Sequence, residues 1–156
     1  MRYSSAYLHM AAMAGYLVST GAAGAQGLIT TADPAVVLEV AKGYGSATLD
    51  TDSDGNPMIS GRMETVKYSV FFYSCVSGKD CRSIQFSTGY TDPYTIEKAN
   101  EWNTKYRWIK SYESDHTSNF RMDVDFKGGI TRAYLDTQFE TWNSLIVDIR
   151  DFVAKQ

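Results

Sequence analysis

Between Lys67 and Thr88 the chain alternates polar and apolar residues on both sides of two closely spaced cysteines, and this constrains its fold more than any other feature. Tyr68, Val70 and Phe72 alternate with Lys67, Ser69 and Phe71, while Ile84 and Phe86 alternate with Ser83, Gln85 and Ser87. A period of two belongs to a strand with one buried face. If Cys75 faces Cys81 across an antiparallel hairpin, Phe72 opposes Ile84 and Val70 opposes Phe86, so the apolar residues pair on one face. The cysteines then share the other face with Tyr73–Ser83, Phe71–Gln85 and Ser69–Ser87. One register satisfies both the disulfide and the hydrophobic pattern. Cys75 and Cys81 are the only cysteines, which is most simply read as a disulfide of an oxidising compartment. A redox pair normally has two intervening residues, and a zinc site would need ligands this chain does not supply.

The first 25 residues read as a cleavable signal peptide, with Arg2 as the only charge, a mostly apolar Ala6–Val18 and the small residues Ala23, Gly24 and Ala25 ahead of Gln26. The apolar run is shorter than the ~20 residues a bilayer requires. No cysteine follows for lipidation, so no stable membrane anchor is expected and the product should be periplasmic or secreted. The whole chain carries a net charge of −3, and loss of Arg2 would make it more negative. With no basic cluster in the sequence, nucleic acid is a poor partner.

A short lead-in, residues 26–32, precedes a single domain over residues 33–156. Asp33-Pro34 is a helix start, and that helix carries Val36, Val37, Val40 and Ala41 and stops at Gly43. Strands are expected around Ala47–Asp50 and Pro57–Met63, joined by the turn-rich residues 51–56. Asp92-Pro93 opens a second helix running through Lys105. A second hairpin follows, from Arg107 to Glu113 and Asn119 to Phe126, and Arg132–Lys155 is a long amphipathic helix. The pattern predicts an α+β fold: an antiparallel sheet with helices packed on its one apolar face.

Candidate chemistry is sparse. Asp50, Asp52 and Asp54 followed by Gly55 open like a calcium loop, but Gly61 stands at the twelfth position where a bidentate glutamate is needed and Pro57 stands at the eighth. A hairpin turn is expected, with no metal and no cofactor. Asp123 and Asp125 share the outer face of a strand and form a candidate polar surface; with Asp50, Asp52 and Asp54 they carry the alternative reading of a small metal-dependent or hydrolytic enzyme. His116 sits beside Asp115 in an exposed turn without a nucleophile. Trp102, Asn103 and Arg107 form a candidate interaction group, since tryptophan and arginine are common interface anchors, although a core role for the indole is the commoner use. The far end of the last helix, with Ile149 and Phe152, exceeds what a small sheet is expected to cover and suggests a self-association or partner surface.

At these residues the sequence resembles the YbjN family of bacterial proteins, labelled sensory transduction regulators. The resemblance rests on Asp54-Gly-Asn-Pro57 with Ile59, on Phe71-Phe-Tyr-Ser-Cys75 with Cys81 and Ile84-Gln-Phe86, on Asn100, Trp102, Asn103 and Arg107, on Asp123, Asp125, Gly128 and Gly129, and on the aromatic helix around Trp142. It is closest in character to an exported, cysteine-paired branch. It implies a fold similar to type III secretion chaperones, domains that bind other proteins and commonly dimerise, and it implies no catalytic residue. The expected function is an exported, non-enzymatic protein-binding or chaperone-like module with a protein partner or a second copy of itself.

Overall fold

A computed structural model describes residues 27–91 and 95–155; the expected signal peptide and the Asp92-Pro93 helix start lie outside them. Helix α1, Pro34–Lys42, begins as the sequence predicts: the Asp33 carboxylate accepts from the backbone N–H of Ala35 at 2.7 Å and of Val36 at 3.4 Å, and Gly43 caps the end. Strands β1 (Ser46–Thr51), β2 (Pro57–Met63), β3 (Val66–Tyr73) and β4 (Ser83–Tyr90) form a meander. Helix α2 (Ile96–Lys105) then leads to β5 (Lys110–Ser114) and β6 (Thr117–Asp125), and helix α3 (Arg132–Val153) closes the domain. The strands make one antiparallel sheet of order β1-β2-β3-β4-β6-β5, so α2 carries the chain past β4 to the far edge and β6 returns between them.

The central hairpin has the predicted register, Val70 opposite Phe86, Phe71 opposite Gln85, Phe72 opposite Ile84 and Tyr73 opposite Ser83. Cys75 and Cys81 are disulfide-bonded beyond its last pair. Cys81 is buried and its carbonyl accepts from Ala32 N–H at 2.7 Å, so the bridge also anchors the chain entering α1. Residues 27–32 are therefore more than a lead-in, because Ile29 forms a second antiparallel bridge, to Ile130. Replacing either cysteine by serine should lower unfolding free energy by about 2 kcal/mol in a denaturant titration, with the circular dichroism spectrum retained. Alkylation of the unreduced, unfolded protein should label no thiol.

All three helices lie on one face. Ile59, Val70, Phe72, Ile84, Phe86, Met122 and Val124 point from the sheet into the core, where they meet Val37, Val40, Leu135, Phe139, Trp142 and Ile146. The Phe86 ring stands edge-on to Phe139 at 4.7 Å and lies 5.4 Å from Trp142. After β6, Gly128 and Gly129 both take φ of 85°, the left-handed conformation that lets the strand turn into α3, whose cap is the Thr131 hydroxyl.

Three expectations are corrected. Helix α2 is capped by Thr95, whose hydroxyl accepts from Lys98 N–H, and it starts at Ile96. The strand expected from Arg107 starts at Lys110, because Trp108 adopts a φ of 73° that no strand accommodates. Ile149 and Phe152 do not form an exposed apolar end: they are 0% and 8% exposed. Helix α2 covers Phe152, with the Trp102 ring 5.3 Å from that of Phe152 and the Lys98 ammonium 5.3 Å above it.

Candidate functional site

Because every helix packs on the apolar face, the opposite face of the sheet is bare among the described residues, and the strand register arranges its side chains in rungs. One rung runs Asp50, Met58, Phe71, Gln85 and Asp123 from β1 to β6. The next runs Thr48, Ser60, Ser69, Ser87, Arg121 and Lys110. Tyr73 and Tyr112 stand exposed on the same side at 45% and 38%.

A polar network ties the middle of this face together. Gln85 Nε2 donates to Asp123 at 2.6 Å, and the other oxygen of Asp123 receives Lys110 Nζ at 2.9 Å. Tyr73 Oη donates to Gln85 Oε1 at 3.4 Å, and Arg121 reaches the same oxygen and that of Asn119 at 3.4 Å. The Arg121 guanidinium also lies 5.6 Å from the centre of the Phe71 ring. Burial pushes the Asp123 carboxyl up, but the bonds from Gln85 and Lys110 and the charges of Lys110 and Arg121 outweigh it and hold the group below the usual carboxylate range. Asp123 is therefore a stable anion that orders its neighbours, the opposite of a poised general acid.

Asp125, Asp52 and Asp50 are also occupied, by backbone donors. Asp125 accepts from Lys127 N–H at 2.8 Å, a turn bond that starts the break after β6. Asp52 accepts from Asp54 N–H at 3.0 Å and Asn56 N–H at 2.8 Å, and Asp50 from Thr51 N–H at 2.8 Å, so the aspartate-rich segment is a hairpin turn held by its own side chains. Among the described residues no three histidine, cysteine, aspartate or glutamate side chains converge. His116 is exposed in the β5–β6 turn, where its backbone N–H donates to the Glu113 carboxylate at 3.0 Å.

The aromatic group splits in two. Trp102 is 0% exposed; its Nε1 donates to the Ile109 carbonyl at 2.8 Å, and its ring stacks on Tyr106 with centroids 3.9 Å apart. Asn103 bridges to β5, donating to the Ser111 carbonyl at 2.9 Å and accepting from Ser111 N–H at 2.7 Å. Both residues thus hold α2 to the sheet, Trp102 from within the core and Asn103 from an exposed position. Arg107 remains exposed, 5.0 Å from the ring of Trp108, itself 68% exposed. Phe71, Gln85 and Arg121, which sequence reasoning did not single out, have a signal in the alternation of their strands: they are the residues left over once the buried face is assigned.

The model of the YbjN family, described as "Putative bacterial sensory transduction regulator", matches residues 33–155. The chain belongs to the YbjN family. The YbjN match runs from the Asp33 cap of α1 to beyond the end of α3 and so takes in every strand and helix described above. That description is of a regulator rather than an enzyme and agrees with a regulatory or binding role. No curated protein compared with the chain matches it. Among the described residues no helix is long and apolar enough to cross a membrane.

Proposed function

We propose that this YbjN protein is an exported, non-enzymatic binding module, chaperone-like in mode, whose regulatory role is exercised by holding a protein partner on the bare face of its sheet. The observation that carries this reading is the one-sided architecture. A sheet face that presents Met58, Phe71, Tyr73 and Tyr112 with the ordered ions Arg121, Asp123 and Lys110 combines aromatic surface with prearranged polar groups, the composition of recognition surfaces. Export is supported by the disulfide together with the apolar, small-residue N-terminal sequence. The domain ends of α2 and α3, by contrast, are occupied with each other.

A double substitution, Tyr73→Ser with Tyr112→Ser, should leave the melting temperature within a few degrees of wild type, since both rings are exposed. The same variant should lose capture of the partner from cell-envelope extracts. Light scattering of the wild type then tells whether that partner is a second copy of the chain. Retained capture by the double variant would remove the reading.

A further inference from the structure

At one end of the bare face the sheet opens between β3 and β4. Their ladder stops at the pair Ser69–Ser87, although β3 starts at Val66 and β4 continues to Tyr90. Beyond that pair the Thr88 hydroxyl donates to the Lys67 carbonyl at 2.9 Å. A side chain thus stands where a strand partner would. Two adjoining cavities, of about 530 and 330 Å³, occupy this end and share Arg62, Lys67, Thr88 and Gly89.

The lining is made of hydrogen-bond donors and carries positive charge. Arg62 and Lys67 are direct cross-strand partners, and neither makes an ion pair among the described residues. Two like charges placed opposite each other on a sheet destabilise it, and here they do so in a chain whose net charge is negative. Arg62 is also oriented, since Nη1 donates to the Thr65 carbonyl in the β2–β3 turn. Among the described residues no aspartate or glutamate lines either cavity. Arg150, on the wall of the smaller one, is already neutralised by Asp151 at 2.8 Å.

Two phenols border the cleft from the core side of the sheet, on the face opposite to Arg62 and Lys67. Tyr68 is 3% exposed and lines the larger cavity, Tyr90 lines the smaller one, and among the described residues neither hydroxyl has a hydrogen-bond partner. Burial pushes the Tyr68 phenol up to about 12, so it stays a neutral donor. The Tyr68 ring lies across Gly61, where a Cβ would come within 2.6 Å of it, so the sequence leaves room for the phenol at this spot.

We propose that this cleft is a binding site for a phosphate monoester, with Arg62 and Lys67 holding the phosphate and the row Ser60, Ser69 and Ser87 meeting the hydroxylated body of the molecule. Two uncompensated cations on one rung match one dianionic group, whereas a string of carboxylates would call for charges spread along the strands. The charge repulsion between Arg62 and Lys67 is relieved when the ligand binds.

The test is titration calorimetry on the purified full chain in phosphate-free buffer at low ionic strength, with inorganic phosphate and glycerol 3-phosphate as probes. Saturable binding of the ester is expected, weakened roughly tenfold or more by Arg62→Gln and by Lys67→Gln. Both are exposed, so each variant should melt at or slightly above the wild-type temperature without ligand. Lys110→Gln, which removes the same charge from the paired Asp123 site, should bind as wild type. Cosedimentation with phosphatidylcholine vesicles containing phosphatidic acid separates a lipid headgroup from a soluble ester as the source. Absence of saturable binding to the ester and to the vesicles would overturn the proposal, as would an equal loss in Lys110→Gln.

Discussion

Ile149→Asp should leave no folded protein at room temperature. The side chain is 0% exposed, in the hydrophobic core near the end of α3, and an isolated carboxylate there would lack the hydration that stabilises its charge. The domain can respond by protonating the group or by opening the core around α3. Either costs several kcal/mol against a total stability of about 5–15 kcal/mol for a domain of this kind. Phe152→Asp should act in the same direction but less severely, because Phe152 is at the edge of the contact and 8% exposed. Far-ultraviolet circular dichroism and thermal melting check both variants. A cooperatively melting Ile149→Asp protein would return this end of the helix to the surface and reopen a role in self-association.

Trp102→Ala should destabilise the fold by about 3–5 kcal/mol, measured by urea denaturation. The indole fills space between Tyr106, Phe120 and Phe152, with ring centroids 3.9, 5.0 and 5.3 Å away, and it also satisfies the Ile109 carbonyl. Trp102→Phe separates the two contributions: most of the ring contact survives, while loss of the Nε1 donor should cost about 1–3 kcal/mol. A Trp102→Ala protein as stable as wild type but deficient in binding would instead make the residue an interface anchor.

Local chemistry made much of this fold legible. Asp33-Pro34 and Gly43 bracket α1 because a carboxylate cap, a proline at the first position and a terminating glycine act within a few residues of one another. The β3–β4 register was readable because the cysteines and the apolar alternation independently demand the same pairing. What escaped was tertiary. The insertion of β6 between β4 and β5 depends on which apolar strand faces meet, and no single segment encodes it. For the same reason the stripe ending at Ile149 and Phe152 was visible while the cover of Phe152 was not: α2 is a short, mostly polar helix that reaches Phe152 through Trp102 and Lys98. The carboxylates were legible as a solvated strand face, but the partners of Asp123 come from β4 and β5, which only the assembled sheet brings together.

In the proposed function the two faces of the sheet divide the labour, one buried under helices for stability and the other bare for recognition. Site-specific photo-crosslinking in the cell envelope tests it most directly, with a photoreactive phenylalanine analogue placed in turn at Tyr73, Tyr112 and Tyr134. All three positions are exposed, at 45%, 38% and 48%, but Tyr134 is on α3, on the helical side. Adducts of one common mass from positions 73 and 112, with none from position 134, are the predicted result. Adducts from position 134 with none from the two sheet positions would place the partner on the helices and contradict the account.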